Sequence, residues 1–98
     1  MDVSTSLELS AAAFRALGDP TRLGVVSLLA RGDRCVCELR EELDVPGPLL
    51  SHHLAVLRDA GIIVATRRGR WIDYTVEREV LAGLVGTVTT AAPAGTGR

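Results

Sequence analysis

Glycine and proline residues divide this 98-residue chain into short segments. Gly18, Gly32 and Gly61 each follow a run with helical apolar spacing, and residues 45–48 (Val-Pro-Gly-Pro) interrupt another. Because glycine and proline end regular structure, each break marks an element boundary. The breaks therefore predict a small domain of short helices, with one extended hairpin near its carboxyl end.

Five helices are predicted between these breaks. The first is rich in alanine, and the second has Asp19 as its N-cap and Pro20 at its first helical position. The third begins at Cys35, and the fourth carries the clearest apolar periodicity. The predicted helices cover residues 6–17, 20–31, 35–44, 48–60 and 77–88.

The fourth helix has one apolar face. Its inward positions are Leu50, His53, Leu54 and Leu57, spaced i, i+3, i+4 and i+7. Since His53 lies on this face, we expect a buried, hydrogen-bonded structural histidine rather than a ligand. Off this face lie Ser51, His52, Ala55 and Arg58.

Residues 62–67 and 70–76 read as two strands around an Arg68-Gly69 turn. This order of elements predicts an α+β fold that is mainly α: a winged helix-turn-helix with a two-stranded β-hairpin wing. We expect one domain over residues 1–90 and a flexible tail over 91–98. In such a fold the fourth helix enters the DNA major groove.

The basic residues are concentrated in one part of the chain. Net charge is −1, yet residues 46–75 hold four arginines against two acids, while residues 1–45 hold five against eight. Arg67, Arg68 and Arg70 of the predicted wing could reach phosphates. A solvated loop rich in arginine explains the same charge pattern equally well.

The sequence favours neither a membrane protein nor an enzyme. The amino terminus carries Asp2 and Glu8 without an apolar run, and no stretch approaches the roughly 20 apolar residues of a membrane span. We therefore expect a cytoplasmic protein without a membrane partner. Ser51, His52 and His53 are contiguous and form no arrangement of nucleophile, base and orienting group, so no enzyme activity is expected.

Cys35 and Cys37 are the only cysteines, and they begin the third predicted helix. The run from Cys35 to Glu38 resembles a capping box with cysteine in the N-cap position. Thiolates are favoured at a helix amino terminus, and soft thiolates without imidazole select thiophilic ions. The alternative is that both cysteines are small buried apolar residues.

The spacing of the two cysteines predicts a mechanism. Residues two apart on a helix are separated by roughly 200° and do not face each other. Two sulfurs that share one ion, with bonds of roughly 2.3 Å, must come within about 4 Å. We therefore expect ion binding to unwind or re-aim the first turn of the third helix.

Four stretches together resemble the ArsR/SmtB family of metal-responsive repressors: residues 16–23 (ALGDPTRL), 35–39 (CVCEL), 51–61 (SHHLAVLRDAG) and 69–74 (GRWIDY). The resemblance covers roughly residues 12–77. It implies a homodimer that binds operator double-stranded DNA when free and releases the DNA when metal binds.

The resemblance also guides the choice of site residues. Gly47 and Leu49 lie where family members often have polar side chains at the start of the recognition helix. The predicted DNA-binding residues are Gly47, Leu49, Ser51, His52, Arg58, Arg67, Arg68 and Arg70. The family usually dimerises through its first and last helices, so the predicted interface residues are Leu7, Phe14, Val80, Leu81, Leu84 and Val88.

The CVCEL run is similar to the arsenite- and antimonite-sensing branch of the family. This implies As(III) or Sb(III) as the inducer, bound by Cys35 and Cys37. The branch often has a third cysteine where this chain has Arg40, so a cellular thiol, water or another group would complete the coordination. A redox-responsive regulator and a winged-helix protein-interaction module are the alternative hypotheses.

Overall fold

The structure is a computed structural model that describes residues 3–89, with side chains from Ser6 onward. The predicted tail at residues 91–98 lies outside this part of the chain. The elements are α1 (Val3–Leu17), α2 (Pro20–Arg31), β1 (Arg34–Cys35), α3 (Val36–Leu43), α4 (Gly47–Asp59), β2 (Ile63–Arg68), β3 (Trp71–Val76) and α5 (Arg78–Thr89). All five predicted helices are present, with bounds shifted by three residues or fewer.

The start of α2 follows from its capping residues. A carboxylate oxygen of Asp19 accepts hydrogen bonds from the backbone N–H groups of Thr21 and Arg22, at 2.9 and 3.1 Å. Pro20 occupies the first turn. At the other end of α2, the N–H of Gly32 donates a hydrogen bond to the carbonyl of Leu29. These contacts confirm the predicted bounds of α2.

A short turn joins α3 to α4 and fixes the helix-turn-helix geometry. Asp44 ends α3 in the left-handed conformation, with φ of 54°, and its N–H donates to the carbonyl of Arg40. Helix α4 then begins at Gly47, one residue earlier than predicted, and the N–H of Leu50 donates to the carbonyl of Pro46.

The sheet has three strands in the described part of the chain, in the order β1-β3-β2, all antiparallel. The predicted hairpin is confirmed, although Arg68 is the last residue of β2 and the turn consists of Gly69 and Arg70. The third strand, β1, was not predicted. A two-residue strand is too short to show the alternating pattern on which strand prediction depends.

The core lies where α1, α2, α3, α4 and α5 meet one face of the sheet. It is aliphatic, apart from Tyr74, and its fully buried side chains are Val25, Leu29, Leu39, Leu50, Leu57, Ile62 and Ile63. The predicted inward face of α4 is confirmed, because Leu50, His53, Leu54 and Leu57 are all buried. No described helix is both long enough and apolar enough to cross a membrane.

Gly24 permits a close approach between α2 and α3. A Cβ atom built on Gly24 would lie 3.2 Å from a methyl carbon of Leu43, closer than ordinary van der Waals contact. Glycine costs on the order of 1 kcal/mol against alanine inside a helix. The close packing of α2 on α3 accounts for a residue that helix propensity alone does not favour.

Candidate functional site

The sulfur atoms of Cys35 and Cys37 lie 2.9 Å apart, and both cysteines are free thiols. The expectation that an intact α3 keeps them apart is wrong. Cys35 is the N-cap, with φ of −84° and ψ of 167°, so it has extended rather than helical geometry. The 200° separation applies only to two helical residues, and only Cys37 is one.

Backbone and side-chain contacts hold Cys35 in this position. The predicted capping box is present: a carboxylate oxygen of Glu38 accepts a hydrogen bond from the N–H of Cys35 at 2.9 Å. Cys35 also belongs to β1, where it pairs with Asp73 of β3. The cysteine pair therefore lies at the junction of the sheet and α3.

The hydrogen bond with Cys37 raises the pKa of the Cys35 thiol, and burial acts in the same direction. The backbone N–H of Glu38 acts in the opposite direction but does not prevail. This differs from the expected stabilisation of a thiolate by the helix terminus. Near neutral pH, the Cys35 thiol therefore keeps its proton to a greater extent than an ordinary cysteine.

Cys37 opens onto a solvent-accessible groove of about 560 Å³ beside α3. The groove is lined by Cys37, Arg40, Glu41, Asp44, Val45 and Pro46. Arg40, which stands where the resembling branch often has cysteine, is exposed. Among residues 6–89, no three His, Cys, Asp or Glu side chains are grouped closely enough to hold a metal ion. The pair thus places two free thiols beside an open space.

The predicted DNA-contacting side chains of α4 are on its outer surface. Leu49, Ser51, His52 and Arg58 are exposed, and Gly47 is half-buried. His53, in contrast, is 7% exposed, and its Nδ1 lies 3.1 Å from Nη1 of Arg22. The interpretation of His53 as a hydrogen-bonded structural histidine is confirmed.

The three wing arginines differ in their partners. Arg68 donates two hydrogen bonds to the carboxylate of Asp73, at 2.6 and 3.1 Å. Hydrogen bonding to Arg68 lowers the pKa of Asp73, and hydrogen bonding to Asp73 raises the pKa of Arg68. Arg67 and Arg70 are exposed and have no ion-pair partner among the described side chains.

The predicted dimer-interface residues divide into two groups. Leu7, Phe14, Val80 and Val88 are exposed apolar side chains on α1 and α5. Leu81 is half-buried, and Leu84 is only 6% exposed because it packs into the core of the single chain. Leu84 thus contributes to the core of the single chain, and its part in a dimer interface stays a prediction. Leu9 and Val85, which are not among the predicted interface residues, are also exposed, at 58% and 59%.

Comparison with known proteins identifies the family to which this helix-turn-helix chain is similar. Residues 19–64 match the family described as "Bacterial regulatory protein, arsR family". An uncharacterised HTH-type transcriptional regulator of Methanocaldococcus jannaschii, MJ1325, is 47% identical over 70 residues, which are 70% of this chain and 79% of that protein. This chain belongs to the ArsR family. Its members are transcriptional regulators with helix-turn-helix domains, so DNA binding rather than enzyme catalysis is the family activity.

Two further similarities add detail about relatives of this ArsR-family chain. The arsenic resistance transcriptional regulator ArsR1 of Pseudomonas putida is 46% identical over 68 residues, which are 68% of this chain but only 53% of ArsR1. The homodimeric winged helix-turn-helix domain of Mb0332 from Mycobacterium bovis superposes with a TM-score of 0.77 at 25% identity, covering 90% of this chain and 82% of that one. The winged-helix fold class is confirmed by this likeness.

Proposed function

We propose that this ArsR-family chain is a homodimeric repressor that leaves operator DNA when As(III) or Sb(III) binds to Cys35 and Cys37. The observation that carries the proposal is the 2.9 Å separation of the two sulfurs at the start of α3. Two thiols that already face each other can bind one ion without refolding of the helix. The name of the Pseudomonas putida relative, an arsenic resistance regulator, supports this choice of inducer.

The coordination chemistry suits a neutral trivalent arsenic hydroxide. Each thiol replaces one hydroxide: an As–S bond forms, an As–O bond breaks, and the thiol proton leaves with the hydroxide as water. The overall exchange takes up no proton from solution, because the thiol proton leaves with the hydroxide. The third oxygen ligand stays on arsenic or is exchanged for a cellular thiol, and the groove beside Cys37 leaves room for one.

Binding must also change the geometry of the site. Bonds of roughly 2.3 Å at a near-tetrahedral angle place two sulfurs about 3.5–3.8 Å apart. The two thiols, which are in direct contact, must therefore give up that contact and take positions set by the ion. Since Cys37 lies on α3, which leads through a short turn into α4, this change occurs beside the DNA-reading unit.

Release of DNA then requires a difference in affinity. An inducer lowers operator affinity only if it binds the DNA-free conformation better than the DNA-bound one. The exposed Ser51 and His52 of α4 offer hydrogen-bonding groups to base edges, and Arg67 and Arg70 offer charge to phosphates. A displacement of α4 relative to the wing would misalign these two sets of contacts.

Dimerisation is supported by the surface of α1 and α5. Leu7 and Val88 are 54% and 63% exposed in the single chain, which is unusual for several apolar residues on adjoining helices. The related winged-helix domain from Mycobacterium bovis is homodimeric. A twofold dimer would present two α4 helices to successive major grooves.

An operator-binding titration with As(III) tests the proposal. Fluorescence anisotropy should give a lower operator affinity with As(III) present, and Sb(III) should act in the same way. The double variant Cys35→Ser, Cys37→Ser should bind operator as the wild type does and should not respond. If As(III) leaves wild-type binding unchanged, or if the double variant still responds, the proposal fails. Parallel titrations with Cd(II) and Zn(II) define ion selectivity.

The same sulfur distance favours one second candidate, a redox switch. Peroxide could convert the two thiols into a disulfide, with two electrons passing to the peroxide and two water molecules formed. The raised pKa of Cys35 acts against rapid oxidation, because the thiolate is the reactive form. Operator release by peroxide without any response to As(III) would favour this candidate.

A further inference from the structure

Asp73 lies directly opposite Cys35 in the sheet. The two residues are cross-strand partners between β1 and β3. Partners in an antiparallel pair point to the same face of the sheet, with Cβ atoms about 4.5–5.5 Å apart. The carboxylate of Asp73 and the sulfur of Cys35 are therefore neighbours on one face.

Arg68 extends this row to the end of the wing. Thr66 of β2 pairs with Asp73, and Arg68 lies two residues further along β2, on the same face as Thr66. Arg68 reaches across to Asp73 through both of its donated hydrogen bonds. The Cys37–Cys35 contact, the strand pairing of Cys35 with Asp73 and the Asp73–Arg68 hydrogen bonds thus form one connected path.

The two ends of the cysteine pair differ in their freedom to move. Cys37 belongs to α3, which is anchored by Leu39, a fully buried side chain. Cys35 belongs to β1, a two-residue strand at the edge of the sheet. When an ion separates the sulfurs, Cys35 and its strand should move more than Cys37. Since Asp73 is the cross-strand partner of Cys35, it should be the first residue of β3 to be displaced.

We infer that Asp73 is a positioning residue, which transmits occupancy of the cysteine pair to the wing by changing how it holds Arg68. The inference rests on the proposed function and specifies how that site is regulated. It places a second route of control in the sheet, separate from the turn between α3 and α4. It requires Asp73 to affect the coupling between inducer and DNA without contacting either.

The test compares Asp73→Asn, Arg68→Gln and the control Glu42→Gln with the wild type. The control removes another arginine–carboxylate pair, that of Arg34 in β1 with Glu42 in α3 at 2.9 Å, which includes neither Asp73 nor Arg68. For each protein, operator affinity is measured with and without As(III), and As(III) affinity is measured by thiolate–arsenic absorbance. The ratio of the two operator affinities is the coupling, which in allosteric proteins is typically about 5–150-fold.

We expect Asp73→Asn to keep its As(III) affinity within about threefold of the wild-type value. Its coupling should fall at least about fivefold. If the wild-type coupling is itself only about fivefold, the coupling of the variant should be near one. Arg68→Gln should bind operator more weakly and should lose the same coupling. The double variant Asp73→Asn, Arg68→Gln should lose no more coupling than either single variant. Glu42→Gln should retain wild-type coupling. Circular dichroism and thermal melting establish folding, and Arg68→Gln provides the same test if Asp73→Asn does not fold.

Reciprocity supplies an internal check on the two sets of affinity measurements. As(III) affinity must fall on operator binding by the same factor that operator affinity falls on As(III) binding. Both factors must shrink together in Asp73→Asn, and an unchanged As(III) affinity of the DNA-free variant separates a loss of coupling from damage to the cysteine pair. If the wild type responds to As(III) and Asp73→Asn responds equally, only the role of Asp73 is overturned. If the wild type does not respond at all, the proposed function and this inference fail together.

Discussion

Nδ1 of His53 and Nη1 of Arg22 lie 3.1 Å apart and join α4 to α2 through the interior of the domain. Because guanidinium nitrogens only donate, Nδ1 is the acceptor and the imidazole proton is on Nε2. Nε2 faces a carboxylate oxygen of Asp19 at 3.9 Å, and Nε of Arg22 donates to the carbonyl of Ala16. The orientation of the DNA-reading helix therefore depends on a polar contact with the cap region of α2.

His53→Ala should destabilise the domain by about 2–3 kcal/mol, because it leaves a cavity and removes the acceptor of a partly buried guanidinium. His52→Ala is the matched control, since the adjacent histidine is exposed and its loss should change stability by about 0.5 kcal/mol or less. Urea unfolding of both variants measures the difference. Equal stabilities would contradict the structural role of His53.

Asp19 predicts a pH dependence of stability. The hydrogen bond from the N–H of Arg22, with a second from Thr21, lowers the pKa of Asp19 below its usual 3.8. A lowered pKa means that the stabilisation is complete above the unfolded-state pKa and is lost as pH falls through the folded-state pKa. Asp19→Ala should therefore melt below the wild type at pH 7, and the gap should narrow as pH falls below about 4.

Asp19→Asn is the control for this effect. Asparagine caps a helix about as well as aspartate but does not titrate. Its melting temperature should stay close to that of the wild type at pH 7, without the acid-dependent loss that is due to this carboxylate. Thermal melts from pH 2.5 to 7 measure all three proteins. A gap between Asp19→Ala and wild type that is constant over this range would be evidence against the lowered pKa.

The contrast between Asp19 and Cys35 indicates what the sequence could predict. Asp19 and Pro20 act through their own backbone neighbours, so the start of α2 could be located from local rules. The geometry of Cys35 depends on β3, a strand almost 40 residues away in the chain, and no local pattern reveals that pairing. The fold was predictable from the sequence, but the distance between the sulfurs was not.

The same distinction applies to the helices at the ends of the described chain. The family resemblance assigned Val80, Leu81, Leu84 and Val88 of the last helix to the dimer interface together, because it does not tell which neighbour each residue meets. In the structure Leu84 packs inward while Val88 faces outward. Which apolar residues remain for a partner depends on how α5 crosses α1, and that crossing is a property of tertiary packing.

The contact between the sulfurs predicts the reactivity of Cys35. Since the hydrogen bond with Cys37 is the main cause of its raised pKa, Cys37→Ala should lower that pKa and increase the thiolate fraction at pH 7–8. Iodoacetamide should then modify Cys35 faster in Cys37→Ala than in the wild type. The pH–rate profile, followed by tandem mass spectrometry, should shift to lower pH. An unchanged profile would mean that Cys37 does not control this thiol.

The wing arginines predict the salt dependence of DNA binding. Arg67→Ala and Arg70→Ala should each weaken operator binding and reduce the slope of log K against log[salt] by about 0.9, the value for one lost phosphate contact. Arg31→Ala is the control, because Arg31 is an exposed arginine that belongs to the last turn of α2 and to neither α4 nor the wing. Anisotropy titrations at several salt concentrations measure the slopes. Slopes equal to that of Arg31→Ala would remove these residues from the DNA interface.

The exposed apolar surface of α1 and α5 predicts the effect of introducing charge there. In a twofold dimer each substitution is present twice, so Leu7→Glu or Val88→Glu would place two carboxylates in the interface. An unpaired buried charge costs about 3 kcal/mol or more, which corresponds to a dimer dissociation constant at least about 100-fold higher. Ile72→Glu adds the same charge on the wing, where the side chain is 40% exposed, and should leave assembly unchanged. Sedimentation velocity over a concentration series distinguishes the variants, and persistence of the dimer in both Leu7→Glu and Val88→Glu would place the interface on another face of the molecule.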